Sequence, residues 1–281
     1  MNALRKTQAG ITLIEMILVI VILAIVGGMV GIFLSRPVQQ YRDLTVRTQL
    51  SDSADTAIRR ISRELHLAVP NSIRMRSSDK QCVEFIPSYD GGRYRAAADS
   101  SGAGNVFLPD QTINSFDVIG NLNTLPTSGD FAVIYNLGIP GADAYANTPA
   151  ENRFAVTTPL SLSQLNFAGA KFPFASPGNR FQLVSNAEKA VSYVCTGAGT
   201  AAGNGTGTLY RVSNYGFDSP EPGTCANVSS GVILAQNISS CQFAYTTGVL
   251  ERVGLVSIKL SLLKSGESIS LYHDVNVNNV P

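Results

Sequence analysis

The chain has no tryptophan and two histidines, His66 and His273, among 281 residues. With so few imidazoles there is little general-base capacity near neutral pH, and no Gly-x-Ser-x-Gly nucleophile elbow accompanies the many serines. The four cysteines, Cys82, Cys195, Cys225 and Cys241, form no CxxC pair, which argues against a zinc ribbon. No Asp-x-Asp-x-Asp-Gly run points to an EF-hand. A looser calcium site on the Asp143 or Asp218 loops stays open. The glycine-rich stretch Thr196–Gly207 lacks the Gly-Lys-Ser/Thr ending of a phosphate loop and leads into a strand-like segment, so it reads as a hairpin loop. Charge is sparse and balanced: 15% charged residues, 21 basic against 20 acidic, formal net charge +1. That balance carries no nucleic-acid footprint. Together these absences point away from an enzyme and call for no cofactor or metal. They also make each histidine a structural or surface residue, and the sequons at Asn204, Asn227 and Asn237 are chance-level in a chain this rich in Asn, Ser and Thr.

Hydrophobicity is concentrated instead in one place. A short basic segment with Arg5 and Lys6 ends at Gly10, and from Ile11 the chain is apolar almost without interruption to Leu34. Ile11 to Phe33 is roughly 23 residues, enough at ~1.5 Å each to cross a ~30 Å hydrocarbon layer. One carboxylate, Glu15, interrupts the run. Its insertion costs on the order of 2.5–3.5 kcal/mol, so it calls for a partner. A cleaved secretory signal has a shorter core and a small-residue cleavage site near its end, which the Leu34 region lacks. An uncleaved anchor with its basic end inside accounts for the run but leaves Gly10 and Glu15 without a role.

The segment Gly10-Ile11-Thr12-Leu13-Ile14-Glu15 behind a basic leader resembles the class III leader of type IV prepilins: Gly last in the leader and Glu fifth in the mature chain. Ile11 stands where most of that family has Phe. The resemblance implies that prepilin peptidase cuts between Gly10 and Ile11, that Ile11 becomes the methylated N-terminus, and that Glu15 is the assembly carboxylate. The chemistry is simple. The new amine sits poorly at the positive end of a helix dipole, and a carboxylate one turn along, on its own or a neighbouring chain, neutralises it in a low-dielectric setting. A staggered array of such helices favours a neighbour whose Glu15 meets an incoming amine.

Downstream, Gly27, Gly28, Gly31 and Pro37 weaken the helix, with a kink expected at Pro37. Gly27 and Gly31 also have the spacing that lets two membrane helices approach closely. From Val38 to about Val69 the apolar residues Leu50, Ala54, Ala57/Ile58, Ile61, Leu65 and Ala68 recur at helical spacing. Arg47, Arg59, Arg60, Arg63 and Glu64 read as a solvated face, with an anionic headgroup as the rival partner of the arginines; Asp55 and Arg59 can pair one turn apart, and Pro70-Asn71 ends the helix. Beyond lie candidate strands at Cys82–Pro87, Phe131–Leu137, Phe154–Thr157, Phe181–Val184, Ala190–Cys195, Thr208–Val212, Gly231–Ala235, Ser240–Thr246, Leu255–Leu263 and Ser268–Val277. The last two alternate cleanly about the turn Lys264–Glu267 and form a hairpin. Loops fill Arg95–Asn105, Gly138–Asn152 and Thr196–Gly207. An even number of cysteines past a membrane segment suggests two disulfides in an oxidising compartment. Three connectivities are possible and sequence does not choose: Cys195–Cys241 with Cys82–Cys225 is preferred, and a local Cys195–Cys225 loop is its rival.

The resemblance extends past the leader. Arg36–Tyr41, Asp55–Arg60, Gly91–Arg95, Ile134–Tyr145 and Phe181–Ser185 resemble the MshO family of minor pilins from mannose-sensitive haemagglutinin (MSHA) pili. The closing Gly254–Val256 to Gly266–Ser268 segment resembles J-type pseudopilins of type II secretion. What this implies is an α+β, type IV pilin-like fold: leader 1–10, a membrane-spanning half-stem 11–34, an amphipathic half-stem 35–70, and a β-rich periplasmic head 71–281. The implied partners are other minor pilins and the major pilin, prepilin peptidase, and an inner-membrane assembly platform. The implied location is the inner membrane in a single pass, then the pilus. A secretion pseudopilin and a ligand-binding tip adhesin, with contacts on the Gly138–Asn152 loop, are the competing expectations.

Overall fold

In this computed structural model residues 10–75, 80–147, 150–218, 223–247 and 253–281 are described, without the side chains of residues 32 and 34–36. Residues 1–9, most of the expected leader and with it Arg5 and Lys6, lie outside the described residues. The chain divides into two units at Gln49/Leu50. A single helix, α1 (Leu13–His66), supplies residues to both.

In the first unit, α1 carries its apolar run exposed: Leu13–Gly31 has a mean hydropathy of 2.9 and none of it is buried. The helical assignment runs unbroken through Gly27, Gly28, Gly31 and Pro37. A proline removes one N–H donor, and the ladder on either side holds the element together.

In the second unit, α1 buries Leu50, Ala54, Ala57, Ile58, Ile61 and Leu65. These fall on one stripe at intervals of three and four residues. The helix stops at His66, short of Pro70: Leu67 and Ala68 donate to the carbonyls of Glu64 and Leu65, tightening the last turn. Val69 then donates to the Ile86 carbonyl, so the end of the stripe belongs to an extended segment, and Ala68 is half-buried.

Among the described residues, fourteen strands follow in chain order: β1 (Cys82–Phe85), β2 (Asp90–Tyr94), β3 (Ile113–Ile119), β4 (Phe131–Val133), β5 (Arg153–Thr157), β6 (Gln164–Ala170), β7 (Arg180–Val184), β8 (Val191–Thr196), β9 (Thr200–Ala201), β10 (Asn204–Gly205), β11 (Gly207–Ser213), β12 (Val232–Thr247), β13 (Val253–Lys264) and β14 (Glu267–Asn278). Twelve of them make two bodies of sheet, and β9 and β10 pair as a small ribbon. One is an open antiparallel sheet, β1-β8-β11-β12-β13-β14, and the other is a closed barrel, β2-β3-β6-β5-β4-β7. The barrel is an insertion: β1 and β8 pair directly, Cys82 opposite Val194 and Phe85 opposite Val191, and the whole barrel is threaded between them.

The barrel is filled by its own side chains. Phe116 lies at its centre, 5.4 Å from both Phe167 and Phe181, and Tyr94 and Phe107 approach to 4.3 Å. Phe116 meets Phe181 edge-to-face and the other two pairs are tilted, and aromatic contacts of these kinds add to area burial. In the open sheet, Gly254, Val256, Ile258, Leu260 and Leu262 of β13 are buried, while the residues between them face outward or are half-covered. The β13–β14 register is continuous from Val253–Asn278 to Lys264–Glu267. Ser265 (φ 53°) and Gly266 (φ 84°) form the two-residue turn, the left-handed pair that matches strand twist.

Several expectations are corrected. β2, β3 and β6 were not anticipated as strands. Gly231–Ala235 and Ser240–Thr246 are one strand, β12, which passes Asn237 at φ 60° with a register shift against β13 between Ile238 and Ser240. A bulge lets one strand bend and change partners without ending. The Thr196–Gly207 loop joins β8 to β11 as a hairpin and holds a small ribbon of its own, β9–β10. Of the three possible connectivities, the fold holds Cys82–Cys225 and Cys195–Cys241.

Candidate assembly site

Gly10 and Ile11 are exposed and non-helical, immediately before α1. Such a segment is open to a peptidase, since a helical bond would first have to be unwound. Thr12 caps the helix: its Oγ1 accepts from the Glu15 N–H at 3.3 Å, and its carbonyl accepts from Glu15 and Met16. Thr12-x-x-Glu15 is therefore the threonine half of a capping box, with Glu15 at the third helical position. The Thr12-x-x-Glu15 spacing just before the apolar run is the signal that marks this helix start in the sequence. Glu15 itself is exposed among exposed apolar neighbours, Leu13, Ile14, Met16 and Ile17. A Cβ at Gly27, Gly28 or Gly31 would meet nothing within 4 Å, so these glycines serve no packing within the described chain.

The rest of the expected polar stem face is split. Arg59 pairs with Asp55 at 2.6 Å in the open. Glu64, one turn further, is drawn into the head: Arg211 of β11 donates to both its carboxylate oxygens, at 2.8 and 3.1 Å, and Arg60 donates at 3.2 Å. Arg211 also reaches Glu188 at 2.8 Å. Burial alone would raise the Glu64 carboxyl, but Arg211, with the Tyr193 hydroxyl and Arg60 beside it, holds it below the usual carboxylate range. Glu64 is thus a structural lock between helix and sheet, not part of a solvated face. Its partner lies 147 residues away, beyond the reach of any local pattern.

The Gly138–Asn152 loop, the expected ligand surface, is tied down among its described residues. The Asn136 side chain donates to the Pro70 carbonyl and accepts from Ala144 N–H; the Tyr145 hydroxyl donates to Ser72. Arg153 donates to the carbonyls of Ala144 and Ala146 and to Asn147, with its guanidinium 3.6 Å from the Phe217 ring centroid. Burial lowers Arg153 to about 10, which keeps it charged at neutral pH. Asp143 caps its own loop by accepting from Tyr145 N–H. Among the described residues, no group of three His, Cys, Asp or Glu is placed to hold a metal. His66 and His273 are both exposed.

The prokaryotic N-terminal methylation motif matches residues 5–31, which include Gly10, Thr12, Glu15 and the exposed apolar helix. No curated protein and no solved structure matches the chain. The motif supports a type IV pilin-like protein, a pilin or a pseudopilin. The apolar N-terminal helix followed by a β-rich domain fits pilin-like architecture, and the two disulfides fit it as well. Membrane anchoring by one helix with a periplasmic head is consistent with the same motif.

Proposed function

We propose that this chain is a minor pilin of an MSHA-type type IV pilus, of the kind represented by the MSHA biogenesis protein MshO. It is cut between Gly10 and Ile11, methylated on Ile11, and built at low copy into the pilus, where it helps to prime or cap assembly. It is not an enzyme. It passes from the inner membrane, through prepilin peptidase and the assembly platform, to other minor pilins and the major pilin. The observation that carries this reading is the methylation motif at 5–31 on a helix whose apolar residues are exposed throughout Leu13–Gly31. A second reading, a minor pseudopilin of type II secretion, draws on the likeness of the β13–β14 hairpin region to J-type pseudopilins.

Intact mass from cells with and without prepilin peptidase tests the pathway. Loss of residues 1–10 plus one methyl group, in peptidase-positive cells alone, is expected; an unprocessed chain in both rejects the reading. Glu15 is then tested with two variants. Gln retains the capping-box geometry at the third helical position but removes the charge, and Ala removes both. Both should insert normally, and both should lower incorporation into pili by about tenfold or more, equivalent to about 1.4 kcal/mol. Normal incorporation of Glu15→Gln would assign Glu15 to helix capping instead. Loss of piliation with intact secretion separates the pilus from the secretion piston.

A further inference from the structure

The open sheet protects its two edges unequally. At one edge β1 is four residues long and is closed by Arg74, which exchanges both backbone bonds with Glu84 at 2.9 Å. At the other, β14 runs for 12 residues. Among the described residues, no backbone hydrogen bond from any element other than β13 reaches Ser268–Asn276. Natural sheets blunt such edges with proline, lysine, bulges or a covering segment. The strand Glu267–Asn278 contains neither proline nor lysine, and its register with β13 has no bulge.

The turn fixes which amides are free. In a two-residue hairpin the closing pair, here Lys264 and Glu267, exchanges both backbone bonds, and bonded and non-bonded pairs then alternate. Ile269, Leu271, His273 and Val275 therefore direct their N–H and C=O to β13. Ser268, Ser270, Tyr272, Asp274 and Asn276 direct theirs outward. The Oγ atoms of Ser261 and Ser270 are 2.7 Å apart, the close side-chain approach of a non-bonded pair.

The outward set is symmetric about Tyr272. We propose that β14 is a docking edge for a second copy of this chain, joined β14 to β14 in antiparallel register about a dyad at Tyr272. In that register Ser270 meets Asp274 of the second copy, Ser268 meets Asn276, and Tyr272 meets itself. On the opposite face Ile269 meets Val275 and Leu271 meets His273. No like charges stand opposite one another, a hydroxyl faces a carboxylate, and each pair of outward residues exchanges both backbone bonds. Tyr272 is 65% exposed, and Ile269 and Leu271 are half-buried, so the edge offers side-chain area besides its backbone.

The inference does not rest on the pilin reading, and its failure shows separately, because processing at Gly10 is unaffected by any variant used. The test is sedimentation of the full-length protein in detergent, with backbone hydrogen exchange over a concentration series. A dimer is expected, with the amides of Ser270 and Tyr272 exchanging at least about tenfold more slowly in concentrated than in dilute protein. Ser270→Pro removes an outward donor without touching the β13 backbone ladder; it should give a monomer whose unfolding changes by no more than the exposed Ser261–Ser270 hydroxyl contact contributes. Tyr272→Lys sets two cations face to face at the dyad and should do the same should the proline variant misfold. Gly27→Leu with Gly31→Leu, which closes the membrane-helix route to dimers, should leave the dimer intact. A wild-type monomer at all concentrations overturns the proposal, and would leave the edge to a different subunit. A dimer that survives Tyr272→Lys, or one lost on replacing the two glycines, overturns it as well.

Discussion

The two parts of α1 solve opposite problems with one backbone conformation. Leu13–Gly31 is apolar on every side and wholly exposed, whereas from Leu50 onward the helix is mixed in composition and buries a single stripe. An all-round apolar helix has no face on which its own chain can satisfy it, so its solvent is lipid or other helices. An amphipathic one is satisfied by the sheet that follows it. The charged residues obey the same division. Glu15 has no acid–base partner among the described residues within its apolar run, while Glu64 is gripped by Arg211. The first part is built to be completed by something else, and the second is already complete.

The sharpest way to test that division is to truncate one isoleucine in each part. Ile61 is fully buried and Ile20 is 62% exposed. Ile61→Ala should cost the head about 2–5 kcal/mol through lost burial and a residual cavity. Ile20→Ala should change head stability by less than about 0.5 kcal/mol. Denaturant unfolding of the full chain in detergent, followed by tyrosine signals since tryptophan is lacking, reads both. Equal losses would mean that the first part is also held by the head. In the other direction, Ile20→Arg should reduce membrane insertion by about 2.5–3.5 kcal/mol, and Ile61→Ala should leave insertion unchanged.

The same division governs what the sequence revealed. The exposed apolar run, the Leu50-to-Leu65 stripe and the β13–β14 alternation are local periodicities, and each is visible without knowledge of partners. The barrel strands are not. β2 begins Asp-Gly-Gly, a run that reads as a turn; here glycine is required because a Cβ on Gly91 would stand 2.7 Å from the Phe181 carbonyl. β3 and β6 each bury three apolar residues, but not in strict alternation, and their pairing is irregular between Ile113 and Ser115. β12 reads as two strands from its composition, yet it runs through Asn237, which takes a positive φ in mid-strand. In the candidate site, Gly10, Ile11 and Glu15 were legible as a motif, while Thr12 was overlooked beside them. Glu64 was misread as solvated, since helical spacing shows which face a residue occupies and not what meets it from another element.

The Glu64–Arg211 lock gives the most specific test. Both side chains are largely covered, 17% and 10% exposed. Removing one member of such a pair strands the other, so Arg211→Met should cost about 3 kcal/mol at pH 7. The sign with pH follows from the carboxyl. In the wild type Glu64 is held below its ordinary value, so the unfolded chain binds more protons as the pH falls past about 4.5. The lock's contribution is therefore complete above that value and is lost as the pH drops through the lowered folded value. Asp90, bonded by Gly91, Thr124 and Asn123, and Asp117, bonded by Asn105 and Arg95, are shifted the same way and steepen the wild-type decline. In Arg211→Met the main counterweight to burial is gone, so Glu64 rises and protonation relieves it. The stability gap between wild type and variant should thus narrow from about 3 kcal/mol at pH 7 to less than about 1 near pH 3. A gap that stayed constant across that range would mean that Arg211 supports the head by packing its aliphatic stem, and that the ion pair contributes little.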